Sequence, residues 1–110
     1  MRLRLAMMVS AAALAAASLP AAAQAPAGNA EAAKNKISMC IGCHGIAAYK
    51  TAYPDVYHVP KIGGQTPQYI VIALKAYKSG ERGHPSMKGI AASLTEQDMA
   101  DLAAYYGAQK

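Results

Sequence analysis

Residues 40–44 read Cys40-Ile41-Gly42-Cys43-His44, and these two cysteines are the only ones in a chain of 110 residues. A pair of thiols three positions apart with an imidazole next to the second is a compact donor set. What it does depends on the compartment. The first residues, MRLRLAMMVSAAALAAASLPAAAQA, place Arg2 and Arg4 ahead of an uncharged run from Leu5 to Leu19, followed by small residues at Ala21, Ala22 and Ala23. That is the layout of a secretory signal peptide. A membrane-spanning helix needs about 20 strongly apolar residues, and this run is shorter, rich in alanine and interrupted by Ser10, Ser18 and Pro20. Cleavage after Ala23 is expected, since Pro26 disfavours the next small-residue site. Residues 1–23 are then a cleaved leader and residues 24–110 a single periplasmic domain with no stable membrane insertion.

Three chemistries compete for Cys-x-x-Cys-His in an exported chain. A disulfide or redox-active dithiol suits the compartment, but a thioredoxin-like dithiol sits in a strand-and-helix framework that this sequence lacks. Structural zinc takes four ligands, usually from two paired clusters, and only one cluster exists. Covalent haem accounts for more. If Cys40 and Cys43 lie on one short turn, both sulfurs reach the porphyrin vinyl groups as thioethers, and His44 follows where its ring binds iron. This order is the signature of c-type haem attachment.

The sixth iron position then decides the job, because a strong ligand suits electron transfer and an open position permits ligand binding or catalysis. Met39 adjoins Cys40 and cannot reach the opposite haem face. Met99 fits an apolar helix stripe and reads as core. Met87 stands in a loop, HPSMKG, flanked by Pro85 and Gly89, far enough along the chain to return over the other face. His58 and His84 are the rivals for that position, each with a plain reading as a solvent-facing loop histidine. A backbone carbonyl of the PKIGG loop (60–64) is a candidate acceptor for the free ring N–H of His44. Pro60 otherwise reads as a turn proline.

Outward from the motif, AEAAKNKISMC has helical propensity and ends at the cysteines. HGIAAYKTAYPDVYHVPKIGGQ, with Pro54, Pro60, Gly63 and Gly64, reads as a long irregular loop, of the kind that wraps or does something. In TPQYIVIALKAYKSG, Thr66 is placed as N-cap, Pro67 as the first helical residue and Gly80 as the stop. Ile70, Ala73, Leu74 and Tyr77 then share an inward face. Lys75 and Lys78 read as a solvated helix tail near the end that favours cations. After ERGHPSMKG, read as a second loop, and a short IAAS segment, LTEQDMADLAAYYGAQ opens on Thr95-x-x-Asp98, a capping-box variant, with Leu94 and Met99 as a hydrophobic staple. Met99, Leu102, Ala103 and Tyr106 make one apolar face. No stretch alternates with period two. The expectation is an all-α fold of three main helices with long loops.

Such a chain has neither Trp nor Phe, and its large aromatic surface comes from seven tyrosines. A small scaffold of this kind is usually reinforced by a metal, disulfides or a covalent group. Its formal net charge is +5, of which Arg2 and Arg4 belong to the leader. The remaining lysines are spread along the chain rather than concentrated on one face, which argues against a nucleic-acid partner.

At CIGCH, HVPKIGGQTPQYI, ALKAYKSGERGHPSM and SLTEQDMADLAAYY, the chain resembles the small bacterial class I cytochromes c. The likeness runs from about Ala30 to Tyr106. It implies an N-terminal and a C-terminal helix that cross, a third helix nearby, and one covalent haem c in the core. The family's axial methionine falls on Met87, and the proline whose carbonyl accepts from the axial histidine falls on Pro60. The family's helix crossing sets a glycine against an aromatic, here Ala32 or Ala33 against Tyr105 or Tyr106. Four-helix cytochromes carry their attachment motif near the C-terminus, and here it comes early. The resemblance implies a periplasmic monohaem one-electron carrier between redox protein partners, such as oxidase, reductase or dehydrogenase complexes, and not an enzyme. The alternative is a haem enzyme or gas-binding haem protein with an open or weakly held sixth position. Lys50, Lys61 and Lys88 are expected rim charges for docking.

Overall fold

A computed structural model describes residues 24–53 and 56–110. The leader expected at residues 1–23 lies outside them. The order of elements is helix α1 (Ala30–Ala33), helix α2 (Ser38–His44), strand β1 (Lys50–Thr51), strand β2 (Tyr57–His58), and helices α3 (Pro67–Ser79), α4 (Pro85–Ala92) and α5 (Glu96–Gly107). Helices dominate, as an all-α fold requires. The two strands form one short antiparallel pair in which Lys50 opposes His58 and Thr51 opposes Tyr57.

The first predicted helix is divided. Asn29 caps α1, its side-chain oxygen accepting from the N–H groups of Glu31 at 2.9 Å and Ala32 at 3.3 Å. Around Lys34–Ile37 the chain tightens into bonds spanning three residues, such as Lys36 N–H to the Ala33 carbonyl at 2.8 Å and Cys40 N–H to that of Ile37 at 2.8 Å. Such tightened turns are common between α-helical pieces. The second piece continues through both cysteines to His44, so the motif sits within a helix rather than on an isolated turn.

Helix α3 has the expected limits. Pro67 needs no N–H at the first position, and Gly80 ends the helix at φ 88°, in the left-handed region. Thr66 flanks it with extended backbone, although its side chain makes no cap bond. Ile70 is buried, and Val71 and Leu74 pack beside it. Helix α5 is built as its sequence indicates. Thr95 Oγ1 accepts from Asp98 N–H at 3.1 Å, and Asp98 Oδ2 accepts from Thr95 N–H at 2.9 Å. Leu94 and Met99, the staple pair, are both 1% exposed.

The segment 81–92 departs from expectation. It contains a full helix, α4, where a loop and a short segment were read. Pro85 and Gly89 look like breakers, yet a proline at the first helical position loses no bond. His84 supplies the cap, its Nδ1 accepting from Met87 N–H at 3.3 Å.

Helix α5 is the spine, with α1 and α3 packed on it and α4 on α3. The core holds Ala33, Ile70, Leu94, Met99, Leu102, Ala103 and Tyr106, and Ile37, Cys40 and Tyr105 pack against it. Two buried carboxylates on α5 fasten the N-terminal segment. Asp101 Oδ1 accepts from Asn29 N–H at 2.7 Å and from Gln97 Nε2 at 2.8 Å, and Asp98 Oδ1 pairs with Lys36 Nζ at 3.0 Å. Both are satisfied, as buried acids must be. The helix-tail lysines are also engaged. Lys75 pairs with Glu96 at 2.6 Å, and Lys78 Nζ donates to the Leu94 carbonyl, tying α3 to the start of α5.

Candidate haem site

The helical spacing in α2 puts Cys40 and Cys43 three residues apart on neighbouring turns of one face. Both are free thiols. Cys40 is half-buried against the core, whereas Cys43 is exposed. Burial pushes the Cys40 thiol up, with a smaller opposing effect from Tyr106. A redox-active dithiol relies on a thiol stabilised as its anion, and burial works against that at Cys40. Among the described residues, no three His, Cys, Asp or Glu side chains converge as a metal set.

His44 ends the same helix. Its Nδ1 lies 2.6 Å from the Pro60 carbonyl. A carbonyl only accepts, so the proton of the neutral ring sits on Nδ1 and Nε2 keeps its lone pair. The acceptor is itself held. Gly64 N–H donates to the Tyr106 carbonyl at 2.8 Å, Gln65 N–H to the Ile62 carbonyl at 3.1 Å, and Val59 N–H to the Tyr49 carbonyl at 3.0 Å. Gly64 takes φ 83°, where a side chain would be strained. The PKIGG loop is therefore anchored at both ends, to the short sheet and to the end of α5.

On the histidine side of this turn opens a cavity of about 590 Å³, lined by His44, Ile41, Ile46, Val59, Tyr105 and Tyr106 among others. Neither cysteine nor Met87 borders it. The volume lies in the range of small-molecule sites, but it accounts for one side of the motif alone. Tyr106 adds a polar atom next to the motif. Its hydroxyl oxygen is buried with no hydrogen-bond partner. Burial pushes this phenol far above its ordinary range, and the neighbouring Cys40 sulfur adds to the shift. That sulfur is at best a weak acceptor. A buried polar atom with no partner beside the motif cysteine is one that a bound group could satisfy. The donor set and its surroundings fit a haem.

Met87 is half-buried in the first turn of α4. The far end of that helix reaches α2, where Ser93 Oγ lies 4.0 Å from Met39 Sδ. The rival histidines are otherwise placed. His58 is exposed on β2. His84 uses Nδ1 as the cap of α4, and its ring meets Tyr57 and Tyr77. Sequence reasoning missed this capping role because histidine is not among the usual N-cap residues. The Pro that follows it was the available signal. Met99 is a core residue.

The cytochrome c family model, described as "Cytochrome c", matches residues 27–106. Cytochrome c-554(548) of Halomonas halodenitrificans is 38% identical over 87 residues, an alignment covering 76% of this chain and 100% of the relative. Cytochrome c4 of Pseudomonas aeruginosa is 37% identical over 84 residues, covering 76% of this chain but 40% of the relative, so the chain spans less than half the length of that protein. The cytochrome subunit of sulfide dehydrogenase of Chlorobaculum tepidum is 32% identical over 68 residues, covering 62% of this chain and 57% of the relative.

Proposed function

From the premise that this chain belongs to the cytochrome c family and carries covalently bound haem c as an electron carrier, we propose that it shuttles single electrons in the periplasm, with Cys40 and Cys43 forming the thioethers and His44 and Met87 the axial bonds. The observation that carries this reading is the 2.6 Å contact between His44 Nδ1 and the Pro60 carbonyl, one residue beyond Cys43. It leaves Nε2 as the free donor in the residue that the attachment motif assigns to iron.

Bound haem supplies an iron that alternates between ferric and ferrous states. The chain's own residues limit what else happens there. The Pro60 carbonyl fixes the imidazole's orientation and tautomer and makes Nε2 the more basic nitrogen. Met87 contributes a thioether, a neutral and polarizable ligand that raises the potential relative to a second histidine. Cys40 packs against the core cluster that holds Leu94, Leu102 and Tyr106, so its side of α2 faces apolar side chains. With His44 and Met87 both holding the iron, the chain would leave no position there for a substrate. The chain is a carrier in this reading, not an enzyme.

The leader-like composition of residues 1–23 supports the periplasmic location. Among the described residues no helix is long and apolar enough to cross a membrane. The similarity to a cytochrome subunit of a sulfide dehydrogenase favours a second form of the same chemistry, a subunit docked in a larger redox complex rather than a free shuttle. Co-purification from the periplasm separates the two.

Mass spectrometry of protein matured in a periplasm should show one haem added at Cys40 and Cys43, and a colourless product with free or bridged thiols defeats the proposal. Met87→Ala should let the reduced protein bind carbon monoxide while retaining its covalent haem. A wild-type spectrum with no carbon monoxide binding removes Met87 from the iron.

A further inference from the structure

The N–H of Met87 is one of the donors that the start of a helix leaves without a partner, and His84 supplies the acceptor at 3.3 Å through Nδ1. Short side chains, Ser, Thr, Asp and Asn, normally do this. An imidazole adds a ring with a reach of its own. The ring of His84 meets Tyr57 at 5.3 Å between centroids and 76° between planes, and Tyr77 at 6.4 Å and 78°. Both are edge-on arrangements, favourable for aromatic pairs. Tyr77 lies in turn under the Arg82 guanidinium, 5.0 Å from the ring centre, and Arg82 Nη1 donates to the Tyr69 hydroxyl at 3.3 Å. One side chain thus joins β2, α3 and the first turn of α4.

We infer that His84 is a positioning residue for the sulfur ligand: Nδ1 fixes the backbone of Met87, while Tyr57 and Tyr77 fix the ring that carries Nδ1. The inference rests on the reading of Met87 as an axial ligand. Accepting at Nδ1 puts the proton of the neutral ring on Nε2, so in this arrangement neither nitrogen of His84 offers a lone pair to iron. Its contribution is to the equilibrium between sulfur bound and sulfur released. Loss of a helix cap corresponds to roughly a fivefold shift of such an equilibrium.

The test compares His84→Ala, His84→Asn and Met87→Ala as holoproteins. The readouts are the sulfur-to-iron charge-transfer band of the ferric form and carbon monoxide uptake by the ferrous form. His84→Ala is expected to weaken the band and raise the fraction taking carbon monoxide by roughly fivefold. His84→Asn, whose short amide also caps, should recover most of the band. If His84→Ala does not accumulate, His84→Phe keeps ring bulk against both tyrosines, removes Nδ1 and serves the same comparison. A wild-type band in the variant lacking Nδ1, or an asparagine variant as defective as alanine, overturns the inference. Met87→Ala separates the two failures. A band that survives it overturns the ligand assignment and the inference together, whereas its loss with no effect at position 84 overturns the positioning role alone.

Discussion

A methyl group is enough to disturb the contact between the N-terminal segment and α5. A Cβ on Gly28 would lie 2.1 Å from the Ala100 carbonyl oxygen and 2.9 Å from the Ala104 Cβ. The first of these belongs to helix backbone, which cannot yield without moving the spine of the fold. The segment carrying Gly28 is fastened there by Asn29 N–H on Asp101 and by Gln97 Nε2 on the Ala27 carbonyl at 2.8 Å. Gly28→Ala must break that fastening or push α1 outward. Overpacking of this kind costs about 1–3 kcal/mol, and each kcal/mol lowers Tm by roughly 4–8 °C in a domain of this size. Thermal unfolding of the holoprotein should therefore show a drop of at least about 4 °C, and an unchanged Tm would mean that the close approach relaxes freely. The family resemblance anticipated a helix-crossing contact at Ala32 or Ala33 against Tyr105 or Tyr106, and Ala33 does share the core with Tyr106. A tight backbone approach lies before α1, at Gly28, whose partner Ala100 is 72 residues away, and no local pattern in the sequence marks it.

At the scale of elements, legibility followed whether the signal was local. The limits of α3 and the cap and staple of α5 depend on residues within a few positions of one another, so Thr66, Gly80, Thr95 and Asp98 disclosed them. Helix α4 was hidden because its proline and glycine carry the same signal as a loop, and its cap is an imidazole whose value depends on two tyrosines from other segments. The division of the first helix was hidden as well, and Lys36 in the dividing turn pairs with Asp98 across the fold. Of the site, Cys40, Cys43 and His44 were legible as a contiguous motif; the PKIGG loop was legible as a source of the acceptor, and Pro60 as that acceptor through the family resemblance. Its distance from Nδ1 depends on anchors at Tyr49 and Tyr106. The capping box allows a pH prediction. The hydrogen bond from Thr95 N–H, and after it that from Lys36, holds the Asp98 carboxyl below its ordinary value of 3.8. A lowered folded pKa means that this stabilisation is present above the ordinary value and is lost as pH falls through the folded one. Tm should decline in acid below pH 3.8, and Asp98→Asn should lower Tm at neutral pH while flattening that decline. Thr95→Ala should cost about 1 kcal/mol. An Asp98→Asn protein with the wild-type acid slope assigns the acid sensitivity to other carboxylates.

For the whole molecule, the distribution of charge bears on how an electron carrier meets its partners. Two of the three acids of α5 are turned inward on structural tasks, while Glu96 pairs with Lys75 at the surface. Asp98 and Asp101 are 8% and 5% exposed, while Lys50, Lys61 and Lys88 lie on the surface. Lys61 also borders the cavity that His44 lines. Lysines on the surface of a chain with net charge +5 would steer a carrier toward an acidic redox protein. Steering acts through the unscreened field, whose reach shrinks from about 30 Å at 0.01 M salt to about 8 Å at 0.15 M. With a modest net charge the effect belongs at the lower end of what steering provides. The second-order rate of electron transfer to an acidic partner should fall about tenfold over that salt range. Lys61→Glu should reduce the low-salt rate and flatten the dependence, leaving the spectrum of the haem unchanged. A rate independent of salt in the wild-type protein would mean that docking is governed by apolar contact, for which the exposed Ile41, Ile46 and Tyr57 near the motif and the short sheet are the available surface.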